Sequence, residues 1–269
     1  GIDGSGEEIS VAYPPQRSRI SSLSESNTQK RPVFLRAEWS HILFANYVVD
    51  ANLLSSYVPT GTSQDSWNGS TFLSLVAFRF SKTRMLGIPT FGWRNFDEVN
   101  LRFYVRGAGD QKSKNGVVFI KEIVPSWLVS TIARLLYGEN YQSKDMHSSV
   151  ESRPNSSQMI SYEIREADLS NKFSAFVTNP EKVPTPDSLE AYITEHYWGF
   201  ASRNSKKTVE YEVEHPQWTV SKVDDYSITF DFEKIYGDRY SFLSDQKPQS
   251  VFYCEGSDII VRMGKTLNL

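Results

Sequence analysis

The chain has 269 residues, of which 39% are hydrophobic, 13% aromatic and 23% charged, which is enough apolar material for a core and excludes wholesale disorder. Lys and Arg number 29 against 32 Asp and Glu, a net charge of −3, so no long-range positive field recruits nucleic acid or an anionic membrane, although a local basic patch stays open. No stretch approaches the roughly 18 apolar residues of a membrane-spanning helix. The single cysteine, Cys254, cannot form an internal disulfide, which favours a cytoplasmic or other reducing compartment without fixing it.

In chain order, residues 1–30 are rich in Ser, Gly and charge, contain Pro14-Pro15 and follow neither the helical nor the strand period, so they read as a tail or linker. No basic segment followed by an apolar run marks a secretory signal there. From Val33 onward short apolar runs alternate with turn residues, and residues 31–269 are expected to form one β domain. Strands are predicted over Phe72 to Phe80, Val99 to Arg106, Val117 to Val124, Met159 to Arg165, Phe173 to Thr178 and Val209 to Glu214. Further strands are predicted over Trp218 to Val223, Ser227 to Phe232, Val251 to Cys254 and Ile259 to Met263. This spacing suggests an antiparallel barrel or double sheet, not parallel βαβ units.

Two helices interrupt the strands. Ser126 to Tyr137 carries Leu128, Ile132, Leu135 and Leu136 on one stripe between Pro125 and Gly138. The second is predicted from Asp187, with Glu190 completing a capping box, to Trp198.

Signatures of cofactor and metal chemistry are missing: no phosphate loop, no Gly-x-Ser-x-Gly, no Cys-x-x-Cys, no His-Glu-x-x-His. Neither a cofactor nor a metal site is therefore expected. His41, His147, His196 and His215 lie far apart in sequence; His196 and His215 stand beside aromatics, as core rings or as part of a pocket rim. The richest polar stretch is Arg94 to Arg102, where period two places Glu98, Asn100 and Arg102 on one strand face. Facing a cavity, these three would orient a small carboxylate or carbonyl compound, since Arg offers a fixed donor fork and a buried Glu exchanges protons near neutrality. Facing solvent they would form a cross-strand ion pair, the reading that periodicity alone favours. In Val117 to Ile123, strict alternation groups Lys121 with Val117, Phe119 and Ile123, and Glu122 with Val118 and Ile120. A desolvated lysine can form a Schiff base, which makes Lys121 a catalytic candidate; the plainer reading is an ammonium reaching water at a strand end. Arg79, Lys82, Arg84 and Arg94 flank a Met85 to Trp93 loop, which is either solvated or anion-receiving.

Several of these residues together carry a resemblance. Glu38-Trp39-x-His41, Tyr57-Val58-Pro59, Phe78-Arg79-Phe80 with Thr83-Arg84, Asn95-Phe96-x-Glu98-x-Asn100-Leu101-Arg102-x-Tyr104-Val105, Gly116-Val117-Val118-Phe119, Ala133-Arg134-x-x-Tyr137 and His215-x-x-Trp218 occur in order. From about residue 31 onward the chain resembles the YqjF-like family of uncharacterised proteins, itself similar to the acetoacetate decarboxylase superfamily. The resemblance implies a mainly β fold: a closed, cone-like antiparallel barrel around a ligand pocket, with about two packed helices. It makes Glu98 a pocket residue. The superfamily's Schiff-base lysine lies in a stretch that here reads Gly138-Glu139-Asn140-Tyr141-Gln142, without a lysine. Its substrate-binding arginine follows a tyrosine matched to Tyr47 and is replaced by Val48, and a second pocket glutamate is matched to Ala77.

The expectation is a barrel binding a small carboxylate- or carbonyl-bearing molecule, with Glu98 and Lys121 as catalytic candidates and Asn100, Arg102, Arg134 and Tyr141 as lining. The alternatives are a lyase or hydrolase using a Glu98 acid/base or a relocated lysine (Lys121 or Lys144), and a non-catalytic interaction protein. Protein partners left open are a second copy of the chain and a contact made through the tail.

Overall fold

The computed structural model describes residues 30–108, 114–166 and 169–268; the side chains of residues 128, 132, 133, 135, 136 and 268 are outside that description. The expected tail (Lys30 apart) and the apolar stripe of the first helix therefore lie outside the described residues. The chain begins with β1 (Val33–Val49), β2 (Thr62–Gln64), β3 (Thr71–Met85), β4 (Ile88–Pro89), β5 (Phe96–Gly107) and β6 (Asn115–Val124). Helix α1 (Trp127–Tyr137) is followed by β7 (Tyr141–Ser143), β8 (Asp145–Ser152), β9 (Gln158–Glu166) and β10 (Leu169–Val177). After α2 (Leu189–Thr194) come β11 (Trp198–Asn204), β12 (Lys207–Glu214), β13 (Ser221–Lys222), β14 (Asp225–Thr229), α3 (Phe232–Tyr236), β15 (Ser250–Arg262) and β16 (Lys265–Asn268).

The main sheet runs β13-β15-β1-β3-β5-β6-β11-β12-β16, with β2 added to β5, β4 to β3 and β7 to β6. Strand β12 also pairs with β15, Val213 opposite Val261 and Glu214 opposite Ile260, so the pairings return to a strand already traversed. A second sheet runs β14-β10-β9-β8. The expectation of a purely antiparallel arrangement is corrected at two places: β6 pairs in parallel with β11 and with β7.

Two apolar layers follow from the period-two alternation of β1, β3 and β5. Leu43, Leu73, Leu75, Val99, Leu101 and Phe103 pack against Ile160, Tyr162, Ile164 and Phe173 of the small sheet and against Phe232 and Ile235 of α3. The opposite face, with Ile42, Phe44, Val76, Phe78, Tyr104 and Phe252, forms a second cluster around the polar site described below. Strand β5 is thus buried on both faces, and the solvent-facing reading of Glu98 and Asn100 does not hold.

Several boundaries differ from expectation for local reasons. Strand β1, the longest element, escaped the periodic reading because its register slips between Ser40 and Leu43, where His41 has φ 52°. Trp39 and Ile42 consequently line the same cavity although three residues apart. The two predicted strands 251–254 and 259–263 are one, β15, bent at Gly256 (φ 94°), where a Cβ would lie 2.0 Å from the Trp39 carbonyl oxygen. The first helix agrees, with Gly138 closing it at φ 69° and donating its N–H to the Arg134 carbonyl. The second is shorter than predicted: Ser188, not Asp187, caps it by accepting from the Ala191 N–H, Asp187 lies at φ 63°, and Trp198 already pairs with Gly116 and Glu212 in β11. Predicted strand 218–223 shrinks to Ser221–Lys222, and 227–232 ends before Phe232, which opens α3.

Candidate functional site

Strand β5 presents Glu98, Asn100 and Arg102 on the second face, as alternation requires. Glu98 and Asn100 are each 2% exposed, and Asn100 Nδ2 donates to Glu98 Oε1 at 2.9 Å. Opposite them β6 carries a bulge: Leu101 pairs with Lys121, but Arg102 pairs with Phe119, leaving Ile120 extra. One extra residue inverts the alternation beyond it. Val117, Phe119 and Glu122 therefore share the cavity face, while Val118, Ile120, Lys121 and Ile123 share the other. This reverses the expected grouping of Lys121 and Glu122.

The segment after α1 fixes the bulge in place. Asn140 Nδ2 donates to the Ile120 carbonyl at 3.0 Å, and its own carbonyl accepts from the Glu122 N–H at 2.9 Å. Tyr141 then pairs with Glu122 in β7. This stitching delivers Glu139 and Tyr141 to the cavity, and Glu139 accepts a 2.8 Å hydrogen bond from the Tyr211 hydroxyl. Tyr211 comes from β12, its ring lying against Gly199 so closely that a Cβ there would be 2.2 Å from Cζ.

The result is a cavity of about 120 Å³ with aromatic and aliphatic walls, among them Trp39, Phe44, Phe78, Phe80 and Trp218, and with three carboxyl groups: Glu98, Glu122 and Glu139, at 2%, 2% and 5% exposure. Burial raises Glu98 to about 7, against the opposing pull of Asn100, Glu122, Arg102 and Tyr141. Glu139 is pushed up to about 8, mainly by burial and further by Glu98, with the Tyr211 hydrogen bond acting the other way. Glu122 is driven well above the ordinary carboxylate range by burial and by its two carboxyl neighbours. Tyr141 and Tyr211 are raised by burial and by the same glutamates, so both phenols stay protonated at neutral pH.

Arg102 is the cationic side chain of the described lining. Its guanidinium lies 5.3 Å from the Phe44 ring centroid and 5.7 Å from that of Tyr104, and Nη2 donates to the Ile193 carbonyl at 3.3 Å. Arg102 Nε and Asn100 Oδ1 are buried and lack a hydrogen-bond partner among the described protein groups. His196 and His215 also line the cavity. His196 lies between Tyr104 and Tyr192 and is lowered to about 3 by burial and then by Arg102 and Arg106. His215 stacks on Trp218 at 4.0 Å and is lowered to about 4, chiefly by burial. Both rings are neutral at physiological pH. Among the described residues no group of three or more His, Cys, Asp or Glu side chains is arranged to hold a metal ion.

Of the residues named from the sequence, Glu98, Asn100, Arg102 and Tyr141 come together in this cavity. Arg134 does not; it is exposed on α1 and contributes its carbonyl to the Gly138 cap. Nor does Lys121, whose ammonium donates to the Ile235 carbonyl and lies 5.9 Å from the Tyr236 ring, on the side of the sheet away from Glu98. Its pKa is lowered, first by burial and then by Lys144. Lys144 itself is paired with Glu166 at 2.8 Å, and no described lysine lines the cavity. The positions matched to lost pocket residues do not face the cavity: Ala77 belongs to the other core, and Val48 is exposed. The cavity gains Glu122, Glu139, Tyr211 and the two histidines instead. Cys254 is buried among apolar residues, and burial pushes its thiol up.

The DUF2071 family model, described as an uncharacterized conserved protein, matches residues 36–258. The uncharacterized protein YqjF of Bacillus subtilis is 27% identical over 196 residues, covering 71% of this chain and 76% of that protein. Among solved structures, the chain is similar to acetoacetate decarboxylase from Legionella pneumophila, with a TM-score of 0.58, 10% identity and 88% of each chain covered. It is also similar to the enduracididine biosynthesis enzyme MppR complexed with pyruvate, with a TM-score of 0.60 and 13% identity over 95% of this chain and 98% of that one. At these identities the structural likeness is one of fold. The chain thus belongs to the DUF2071 family of uncharacterised conserved proteins, is YqjF-like, and has a mainly β, acetoacetate decarboxylase-like fold.

Proposed function

We infer that the main sheet closes as a barrel through the β12–β15 pairing and that its cavity binds a compact carbonyl- or carboxylate-bearing molecule. The observation that carries this reading is the presence in one cavity of Arg102, whose buried Nε lacks a partner among the described protein groups, and of carboxyl groups that burial favours in their O–H form. A guanidinium and protonated carboxyls are all donors, and they suit an oxygen-rich acceptor. Size narrows the class: a cavity of about 150 Å³ takes one benzene ring, so about 120 Å³ suits a ligand of roughly four to six non-hydrogen atoms. Short keto and hydroxy acids have that size, and a protein of this fold is described in complex with pyruvate. Thermal-shift and calorimetric titration with a panel of such acids tests the reading. Saturable stabilisation by at least one, lost in Arg102→Met, is expected; no response to any acid, with binding of equally small amines, would overturn it.

A second reading rests on Glu98 alone. A carboxyl near 7 is placed where a general acid/base works best at neutral pH. Bound keto acid would then exchange its α-protons with solvent, a reaction followed by NMR in deuterium oxide. Exchange at the background rate, or exchange undiminished in Glu98→Gln, removes this reading while leaving binding intact.

A further inference from the structure

The hairpin tip between β3 and β5 exposes apolar side chains that the fold does not use. Of the eight large apolar side chains exposed among the described residues, three fall within six positions: Leu86 at 62%, Ile88 at 64% and Phe91 at 87%. The tip is braced. Met85 pairs with Ile88 around Leu86 and Gly87, whose φ values of 50° and 82° make a tight two-residue turn. The Leu86 N–H donates to the Phe34 carbonyl at 2.8 Å, Thr90 donates to the Thr83 carbonyl through both its N–H and its hydroxyl, and the Thr83 N–H donates to the Arg94 carbonyl. An exposed two-residue turn of this kind ordinarily takes Asn or Gly at its first position, and a leucine there adds backbone strain and exposed apolar surface.

The charge around the tip is also unbalanced. Arg36 stands directly opposite Arg84 across β1 and β3, both exposed, and Arg94 is exposed at the far end of the loop. None of the three forms an ion pair among the described residues, and like charges directly opposite one another destabilise a strand pair. An exposed apolar tip flanked by three exposed guanidinium groups, without ion pairs among the described residues, matches a surface that is greasy within and anionic at its boundary.

We propose that the 84–94 hairpin is a peripheral docking element for anionic phospholipid bilayers, seating Leu86, Ile88 and Phe91 among the acyl chains and Arg36, Arg84 and Arg94 on headgroup phosphates. Guanidinium groups bind phosphate through paired N–H donors, and aromatic and aliphatic side chains reach the acyl boundary. A protein partner fits less well: stable protein interfaces use about 20 to 30 residues a side, and the 84–94 hairpin with Arg36 offers about twelve. Nucleic acid fits less well because Leu86 and Ile88 have no stacking face. The docking is of the lying-on type, and no described helix is long and apolar enough to cross a membrane.

Co-sedimentation of the full chain with phosphatidylcholine vesicles containing about 30% phosphatidylserine tests this, with pure phosphatidylcholine vesicles as comparison. Binding at about 0.1 M salt is expected, at least tenfold weaker on the neutral vesicles. Arg84→Gln with Arg94→Gln is expected to weaken it roughly 20- to 30-fold, and Ile88→Ser with Phe91→Ser at least tenfold. Both double variants alter exposed side chains and should unfold within about 2 °C of the parent. Failure of the full chain to bind the anionic vesicles, or binding that both variants retain, overturns the proposal. So does vesicle-independent self-association that the same variants abolish, which would make the tip a contact between copies.

Discussion

Glu139→Gln isolates the energetic consequence of placing three carboxyl groups in one buried cavity. Glu139 has a folded-state pKa of about 8, against about 4.5 when unfolded. Below pH 4.5 the side chain is neutral in both states and costs nothing by ionisation. Between 4.5 and 8 the unfolded chain releases the proton while the folded chain keeps it, so stability falls as pH rises. At about 1.4 kcal/mol per pH unit, the loss over 3.5 units approaches 5 kcal/mol and levels off above pH 8. That is comparable with the whole net stability of many domains. Glutamine keeps a carbonyl oxygen for the 2.8 Å hydrogen bond from Tyr211 but cannot ionise. The variant should match the parent within about 1 kcal/mol at pH 4.5 and exceed it by about 3 to 5 kcal/mol at pH 8. Urea unfolding at half-unit steps from pH 4.5 to 9 measures this. Parallel profiles, or a variant less stable than the parent at pH 8, would refute the assignment of a raised, buried carboxyl at this position.

Two further outcomes follow from the same geometry. Gly199→Ala places a Cβ 2.2 Å from Tyr211 Cζ, so the ring must leave Glu139 or the strand must shift; denaturant unfolding should show a loss of about 1 to 3 kcal/mol, and a change under about 0.5 kcal/mol would show that the contact yields freely. A carboxylate ligand adds negative charge beside Glu98, Glu122 and Glu139 and should raise their pKa values further, so binding takes up protons. Affinity should then fall as pH rises past about 7, where Glu98 begins to ionise, and further past about 8 with Glu139, by up to about tenfold per pH unit for each proton taken up, measured by calorimetry in buffers of different ionisation enthalpy; affinity that rises with pH would point to a cationic ligand.

The legible part of the fold was the part governed by strict alternation. In β5, Val99, Leu101 and Phe103 against Glu98, Asn100 and Arg102 announce two chemically distinct faces, and the structure buries the polar one. Gly138 after Tyr137 likewise marks a helix end that the left-handed cap realises. Alternation carries no information about where an extra residue enters. The slip at His41 hid β1, and the bulge at Ile120 exchanged the faces of Lys121 and Glu122. Neither position has a glycine to advertise it. The return of β12 to β15 joins segments about fifty residues apart and leaves no local trace.

The site was legible to the same degree, and its least legible half changes its chemistry. Seen from the sequence, the stretch 138–142 was notable for the lysine it lacks. In three dimensions Asn140 ties that stretch to the Ile120 bulge, and the two together set Glu139, Tyr141 and Glu122 around Glu98. A cavity with a resident ammonium would hold several of these glutamates ionised, because an opposite charge within a few ångströms favours the charged form. With Arg102 as the cation of the described lining, and its guanidinium also spread over Phe44 and Tyr104, burial dominates and the carboxyls retain protons into the neutral range. The same side-chain type that would serve as counter-ion to a lysine therefore becomes a hydrogen-bond donor. That inversion follows from which face Glu122 and Lys121 occupy, and a single bulged residue decides it.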